Sequence, residues 1–293
     1  MSQTYKAGKV QGKYTFSQVF RAESTQQTIY NQTLAPLVTN LLSGRDGLLF
    51  AFGITNAGKT YTIQGTDERP GILPLGLSQL FETIERQRAE RSQEQTEHSG
   101  IEVSVSHLEI YNEQLFDLLA KPAEDDIFKT RSKLHIKGGS DVVHGLKEVP
   151  VSGPEEALRQ LRFGTQNRIS ARTKLNGGSS RSHSIFTLKV KGLPNTRRPV
   201  KLSVVDLAGS ERANRTESFG LRMREAGSIN LSLSTLVRCI NELRWNQTHR
   251  ERSRVIPFRE SKLTTLFKQF FVGEHADQIV MIVNASMSMN DLT

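Results

Sequence analysis

Residues 51–60, AFGITNAGKT, contain Gly53, four further residues, and then Gly58, Lys59 and Thr60. In a G-x-x-x-x-G-K-[ST] loop the glycines let successive backbone N–H groups point at phosphate oxygens, and the following helix adds its positive end. The lysine reaches the β- and γ-phosphates and the threonine hydroxyl reaches Mg²⁺. An apolar run, GLLFAFG at 47–53, supplies the preceding strand. A chance match is expected in about one such chain in a hundred, so the loop predicts nucleotide binding. The residues predicted to contact the nucleotide are Gly53, Ile54, Thr55, Asn56, Ala57, Gly58, Lys59, Thr60 and Tyr61.

A second segment, LSVVDLAGSE at 202–211, suits the detection of a terminal phosphate. Asp206 ends an apolar strand, where its carboxylate would hold Mg²⁺ through water, and the backbone N–H of Gly209 would contact the γ-phosphate. A D-x-x-G sequence alone is often a simple turn. Because it follows a buried strand in a chain with a phosphate loop, we favour the sensor role.

A third segment, NGGSSRSHSIF at 176–186, supplies small hydroxyls and a cation. Ser179 and Ser180 would contact Mg²⁺ or a water beside it, and Arg181 would pair with Glu211 across the γ-phosphate. His183 is expected to be a packed or solvated histidine with no catalytic role. Together the three segments contain every part of a switch that responds to the γ-phosphate.

Composition narrows the class of protein. The chain has 293 residues, 36% of them hydrophobic, which suffices for one sizeable core. It contains no apolar run long enough for a membrane span and no apolar stretch of a secretory signal near its start. Its one cysteine, Cys239, fits a core position in a reducing compartment. The formal net charge of +9 favours a polyanionic partner, which could be nucleic acid, an acidic membrane surface or an acidic protein.

Apolar periodicity predicts a single α/β domain without an internal linker. The strand at 101–112 changes its alternation midway, which suggests a bulge. Residues 86–100 are polar and suggest a loop or a frayed helix end. The remaining predicted elements are strands at 47–53, 185–193, 199–209 and 278–286, and helices at 72–91, 153–168, 225–245 and 259–271.

The segments GITNAGKT, NGGSSRSH and DLAGSE resemble the P-loop, switch I and switch II of the kinesin motor domain. The resemblance continues through LEIYNEQLFDLL (108–119), SINLSLSTLVRCI (228–240) and VIPFRESKLTTLF (255–267). An N-K-x-D sequence, which reads guanine in GTPases, is absent. Residues 211–230 and 232–247 are most similar to the mitotic-kinesin-like subfamily of the central spindle and cytokinesis.

The resemblance implies a P-loop NTPase fold, with a central, mostly parallel β-sheet flanked by helices on both faces, and ATP and Mg²⁺ as cofactors. It implies that Asn230 starts the long helix that relays the switch to the track. Asp206 and Gly209 keep the roles given above. The other implied roles are phosphate and Mg²⁺ binding by Lys59 and Thr60, Mg²⁺ ligation by Ser180, a place near the attacking water for Ser179, and closure on ATP by Arg181 and Glu211.

The resemblance also implies a microtubule as the polyanionic partner. The alternatives are a merely solvated basic face, or DNA or RNA, although the few aromatics among these cations, chiefly Trp245 and Phe258, do not favour base stacking. No membrane partner is expected. The residues predicted to face tubulin are Lys129, Arg131, Lys133, Arg238, Arg250, Arg252, Arg254, Arg259 and Lys262.

Against the family pattern, residues 1–293 are expected to form a motor domain without the first strand, which bears R-x-R-P, and without the final helix and neck linker. Dimerisation would require a coiled coil outside this chain, and the expected location is cytoplasmic, on spindle microtubules. Three hypotheses follow: a microtubule-stimulated ATPase motor core, a microtubule-binding module with weak or no ATP turnover, and a nucleic-acid-dependent ATPase.

Overall fold

The computed structural model describes residues 3–6, 9–12, 15–92, 100–120, 133–136, 142–173, 181–194, 196–210, 221–272 and 279–285. These ranges contain both helices and strands. They are β1 (Gln3–Lys6), β2 (Lys9–Gly12), α1 (Gln26–Leu42), β3 (Gly47–Phe52), α2 (Lys59–Gln64), α3 (Ile72–Ser92), β4 (Glu102–Tyr111), β5 (Gln114–Asp117), β6 (Lys133–Ile136), β7 (Val143–His144), β8 (Val149–Val151), α4 (Pro154–Thr173), β9 (His183–Lys191), β10 (Val200–Asp206), α5 (Leu221–Thr248), α6 (Lys262–Val272) and β11 (Ile279–Val283).

The central sheet has the strand order β11-β3-β10-β9-β4-β5-β6-β7, and β8 pairs with β4. The prediction of a mostly parallel sheet is wrong. Strand β3 runs parallel to β10 and β11, whereas the other pairings in this sheet are antiparallel. The reason is the length of the connections, because a parallel crossover needs about a dozen residues. The link between Lys191 and Val200 is shorter, and Asn112 and Glu113 alone join β4 to β5 in left-handed conformations (φ 51° and 54°).

Helices cover both faces of the sheet, as predicted. Along β3, Leu49 and Ala51 pack into one buried cluster with α1, α3 and α4, whereas Leu48 and Phe50 pack into a second cluster with α5 and α6. A strand buried on both faces loses its polar positions, which explains the continuous apolar run before the phosphate loop. The α/β fold class is therefore confirmed, and β3 is anchored on both sides where the loop begins.

The predicted bulge in β4 is wrong. Its pairing with β9 proceeds one residue at a time from Glu102↔Lys191 to Ile110↔His183. The apolar alternation changes because the strand is covered on both faces: Val103 and Val105 pack against one cluster and Leu108 and Ile110 against the other. The polar residues His107 and Glu109 occupy the next positions on the side of β4 that faces α4.

The helix predictions are confirmed with shifted ends. Helix α5 begins at Leu221, so Asn230 lies inside it and not at its start. Gly227 costs the helix about 1 kcal/mol but does not end it. Helix α3 continues to Ser92 and residues 93–99 lie outside the described ranges. Helix α6 begins at Lys262, after a 3₁₀ turn at Phe258–Glu260.

Helix α1, before the phosphate loop, is not among the elements predicted from the sequence. Thr25 caps this helix by accepting a hydrogen bond from Thr28 N at 3.1 Å.

Within the described part of the chain, no helix combines the length and apolarity needed to cross a membrane.

His107 is a buried histidine where β4 meets α4. Its side chain is 1% exposed, and Nε2 lies 2.8 Å from Ser184 Oγ. A Cβ on Gly164 would lie 2.1 Å from His107 Nδ1, so α4 passes this ring only because residue 164 is glycine. Burial lowers the pKa of His107 from 6.5 to about 3, with Arg168 adding to the effect and Glu109 opposing it.

This burial predicts a pH-dependent stability. Below pH 6.5 the unfolded chain protonates His107, whereas the folded chain does not until about pH 3, so stability falls as the pH falls through this window. The slope due to His107 approaches about 1.4 kcal/mol per pH unit. The free energy of unfolding, measured by urea denaturation between pH 7 and 5, should change less steeply with pH for His107→Asn than for the wild type. Equal slopes would contradict the prediction.

Candidate nucleotide-binding site

The phosphate loop lies between the end of β3 at Phe52 and the start of α2 at Lys59. Gly53 and Gly58 have φ values of 154° and 91°, and Asn56 is left-handed with φ 62°. A Cβ on Gly53 would lie 2.3 Å from the carbonyl oxygen of Asn284, the residue that follows β11. Glycine is thus required both by the backbone conformation and by the close approach of a neighbouring strand. Helix α2 is only six residues long, so its dipole contributes less than the sequence argument supposed.

Lys59 reaches back into the loop. Its Nζ donates to Gly53 O at 2.9 Å and to Ile54 O at 2.6 Å, and the residue is only 7% exposed. A desolvated ammonium interacts strongly with a charged ligand because the local dielectric is low. The loop thus holds its cation where the motif expects phosphate oxygens.

The other loop residues are more open. Asn56, Thr60 and Tyr61 are exposed, and Ile54, Thr55, Ala57 and Gly58 are half-buried. Asn284 supports the loop from β11, since its N–H donates to Phe52 O at 2.7 Å and its Nδ2 donates to Thr62 Oγ1 at 2.8 Å. No sequence motif indicates this support from Asn284.

Thr60 and Asp206 come together at the mouth of the loop, as the predicted metal site requires. Thr60 Oγ1 donates to Asp206 Oδ2 at 2.7 Å. The other carboxylate oxygen, Asp206 Oδ1, is buried without a hydrogen-bond partner. A buried, unpartnered carboxylate oxygen is costly unless a cation or water completes it, and oxygen ligands suit Mg²⁺. Both residues therefore fit a role in holding Mg²⁺.

Protein side chains alone do not enclose a metal here. Within the described ranges, no group of three or more His, Cys, Asp or Glu residues is placed to hold an ion. Mg²⁺ commonly takes one or two protein ligands and completes its shell with water and substrate phosphates. The donor set at Thr60 and Asp206 matches that pattern.

The loop after β10 has one N–H group to spare. Leu207 N donates to Ala51 O at 3.2 Å, Ala208 N to His183 Nδ1 at 3.0 Å, and Ser210 N to Gly53 O at 3.1 Å. Among the residues that the structure describes, the buried Gly209 has no such acceptor. The N–H that the sequence assigns to the γ-phosphate is thus the one in this loop that remains available to a ligand.

A buried ionic network, which sequence analysis missed, holds Asp206 in place. Arg168 on α4 lies 3.2 Å from Asp206 Oδ2 through Nη1, and its Nη2 donates to Ser182 O at 2.7 Å. Ser182 Oγ donates to Glu109 Oε1 on β4 at 2.6 Å, and Arg168 Nε lies 4.0 Å from the same oxygen. Arg168 and Glu109 are 5% and 1% exposed. This Arg168 network ties β4, α4, the start of β9 and the end of β10 to the phosphate loop.

His183 was expected to be either packed or solvated, and the structure shows it packed. It is 2% exposed, and its two ring nitrogens contact Ala208 N and Ser232 Oγ, the latter at 2.7 Å. Arg181, two residues earlier, is half-buried. The other predicted residues of this site, Ser179, Ser180 and Glu211, lie outside the described ranges, so their predicted roles, including the Arg181–Glu211 pair, stay predictions.

The cations predicted to face tubulin are exposed wherever they are described, but they are not all free. Arg238 forms an ion pair with Glu260 at 2.5 Å. Arg254 contacts Glu242 at 3.4 Å and lies 4.0 Å above the Trp245 ring. The remaining described members of the predicted set at this surface are Arg250, Arg252, Arg259 and Lys262.

The second predicted tubulin contact is only partly described. Lys133 is exposed on β6, whereas Lys129 and Arg131 lie outside the described ranges. The turn between β4 and β5 contacts the start of α6, which belongs to the predicted tubulin-facing surface, because Glu113 Oε2 accepts from Lys262 N at 2.6 Å. This contact fixes the start of α6 against the sheet.

The chain matches the family model of the kinesin motor domain over residues 2–293. Kinesin-like protein KIF20B of Mus musculus is 34% identical over 96% of this chain, and kinesin-like protein KIF23 of Mus musculus is 34% identical over 93%. The chain covers 20% and 36% of the length of these two relatives.

Solved structures agree with this match. One described as kinesin 6 superposes with a TM-score of 0.77 at 30% identity, covering 99% of this chain and 90% of that one. A microtubule complex of a KIF14 dimer with AMP-PNP gives a TM-score of 0.75 at 32% identity, covering 92% of this chain and 73% of that one. The predicted resemblance is confirmed, and the chain belongs to the kinesin motor domain family.

Proposed function

We propose that this chain is the core of a microtubule-stimulated ATPase that couples Mg-ATP hydrolysis to microtubule binding and movement. The observation that carries the proposal is the mouth of the phosphate loop, where Thr60 hydrogen-bonds Asp206 and leaves one buried carboxylate oxygen without a partner. Family membership supports it, and the KIF14 neighbour was solved with both AMP-PNP and a microtubule.

The described residues divide the work of phosphoryl transfer. Lys59 would pair with the β- and γ-phosphates, and Thr60 and Asp206 would hold Mg²⁺. The metal, when bound, neutralises charge that develops on the phosphate oxygens. Gly209 N–H would contact the γ-phosphate, and Arg168 keeps Asp206 oriented through its contact with Oδ2. Because the protein supplies positioning and charge, catalysis here is mainly electrostatic.

The roles of four further residues come from the family resemblance. Ser179 would lie near the attacking water and Ser180 would ligate Mg²⁺. Arg181 and Glu211 would close on ATP and order that water. Their closure would make hydrolysis depend on the positions of the two switch segments.

The exposed cations around α5 and the start of α6 would meet the acidic surface of tubulin. The pairs Arg238–Glu260 and Arg254–Glu242 partly neutralise this surface, so we assign most of the electrostatic attraction to Arg250, Arg252, Arg259 and Lys262. Attraction between exposed charges is screened within about 8 Å at physiological salt. Microtubule affinity should therefore fall steeply as salt increases.

The similarity to KIF20B, KIF23 and a kinesin 6 structure supports a role in the mitotic spindle and cytokinesis. We further propose that residues 1–293 act as the motor domain of a protein that dimerises through a coiled coil outside this chain, on microtubules in the cytoplasm. The chain spans only a fifth to somewhat over a third of the two curated relatives named above.

ATP turnover with and without microtubules tests the proposal. We expect stimulation by microtubules and none by DNA, and we expect Glu211→Ala to abolish turnover while microtubule binding persists. If the chain were instead a binding module, Glu211→Ala would change little and turnover would stay low throughout. Stimulation by DNA in place of microtubules would favour a nucleic-acid-dependent ATPase.

A further inference from the structure

His183 links the loop after β10 to helix α5. Ala208 N donates to His183 Nδ1 at 3.0 Å, and His183 Nε2 lies 2.7 Å from Ser232 Oγ. His183 and Ser232 are 2% and 1% exposed, and Ala208 is fully buried. A hydrogen bond inside the protein is electrostatically stronger than the same bond in water.

The contacts fix the tautomer of the ring. An imidazole nitrogen that accepts a backbone N–H cannot carry a proton itself, so the ring proton is on Nε2. Nε2 therefore donates to Ser232 Oγ. The ring accepts on one side and donates on the other, and a shift of either partner lengthens a hydrogen bond in a place where water cannot replace it.

The two ends of this connection lie in parts of the fold with different tasks. Ala208 stands between Asp206, with its unpartnered oxygen, and Gly209, with its available N–H. Ser232 lies on α5, whose next turns expose Val237 and Arg238, the latter one of the cations predicted to face tubulin. The ring itself begins β9, directly after Ser182 of the Arg168 network.

We propose that His183 is a positioning residue that couples the γ-phosphate-sensing loop to α5 through its hydrogen bond to Ser232. The inference rests on the proposed function, because it concerns how nucleotide changes microtubule affinity. A phosphate that draws the Gly209 N–H toward itself moves the adjacent Ala208 N–H. The ring then transmits that shift to α5, so the bond to Ser232 differs in strength between nucleotide states and biases the helix.

The test measures microtubule affinity with a non-hydrolysable ATP analogue and with ADP, and takes the ratio. Ser232→Ala removes the acceptor on α5. His183→Asn removes the reach to Ser232 while its Oδ1 still accepts from Ala208 N. Each variant should lower the ratio about fivefold, the effect of one hydrogen bond that differs between states. The double variant should lower the ratio no further, since both changes remove the same hydrogen bond between His183 and Ser232.

Ser234→Ala is the matched control. Ser234 lies on the same helix but is exposed, and its hydroxyl bonds only to Leu231 O within α5 among the described contacts. It should keep the wild-type ratio. Thermal unfolding and ATP-analogue affinity without microtubules check that each variant folds. If His183→Asn does not fold, Ser232→Ala alone tests the proposal.

Three results would overturn the inference. The ratio could stay at the wild-type value in Ser232→Ala and His183→Asn, both affinities could fall equally, or the single-variant effects could add in the double variant. A wild-type chain whose microtubule affinity ignores nucleotide would instead refute the proposed function and the inference with it. Wild-type behaviour thus tests the function, and the variants test the role of His183.

Discussion

Lys59→Met should lower kcat for ATP by about 10²- to 10³-fold, the usual effect of removing one preorganised group that stabilises a developing oxyanion. The ammonium is nearly buried inside the loop, where it donates to Gly53 O and Ile54 O. Methionine keeps the length of the side chain but supplies no charge, so phosphate oxygens would meet an apolar group. ATP affinity by titration and single-turnover hydrolysis would separate the effects on binding and chemistry.

Lys189→Met is the matched control for this substitution. Lys189 lies on β9, where it forms an ion pair with Glu148 away from the phosphate loop, so the same chemical change should leave turnover near the wild-type value. Circular dichroism would show that Lys59→Met is folded. A folded Lys59→Met variant with wild-type turnover would exclude the loop as the nucleotide site.

The parts of the site predicted from sequence are those encoded locally. The phosphate loop, Lys59 and Thr60 follow one another within a single motif, and Asp206 ends an apolar strand that could only be buried. The chemistry of phosphate loops predicted that Thr60 and Asp206 would both serve one Mg²⁺. The structure places Thr60 Oγ1 2.7 Å from Asp206 Oδ2, and their roles toward Mg²⁺ stay predictions.

The Arg168 network could not be predicted in this way. Arg168 lies 38 residues from Asp206 along the chain, and Ser182 lies 73 residues from Glu109. A single arginine in an amphipathic helix and a single glutamate in a strand are typical of solvated positions. Only the packing of α4 against β4 shows that both are buried and paired.

The strand directions show a second limit. An apolar run indicates a buried strand but not whether its neighbour is parallel, which depends on connection length and on which strands meet. Helix α1 was missed for another reason. Its buried stripe of Leu34, Leu37, Val38 and Leu41 has helical spacing but lies among threonines, glutamines and Pro36, which obscure the pattern.

Arg168→Met should lower the free energy of unfolding by about 3–5 kcal/mol, because removing one member of a buried ion pair leaves its partners uncompensated. Asp206 and Glu109 are almost fully buried and would lose their shared cation. Urea unfolding at neutral pH measures the loss. ATP turnover should fall as well, since Asp206 would no longer be held for Mg²⁺.

Arg162→Met on the same helix is the control. Its ion pair with Asp67 is exposed on both sides, and such pairs contribute at most about 1 kcal/mol. A second variant separates charge from packing: adding Glu109→Gln to Arg168→Met should recover part of the stability, because a neutral amide replaces an unpaired buried carboxylate. If Arg168→Met cost no more than Arg162→Met, the buried network would not be what holds Asp206. If Glu109→Gln gave no recovery, the lost packing of the arginine side chain, and not the unpaired charge, would explain the instability.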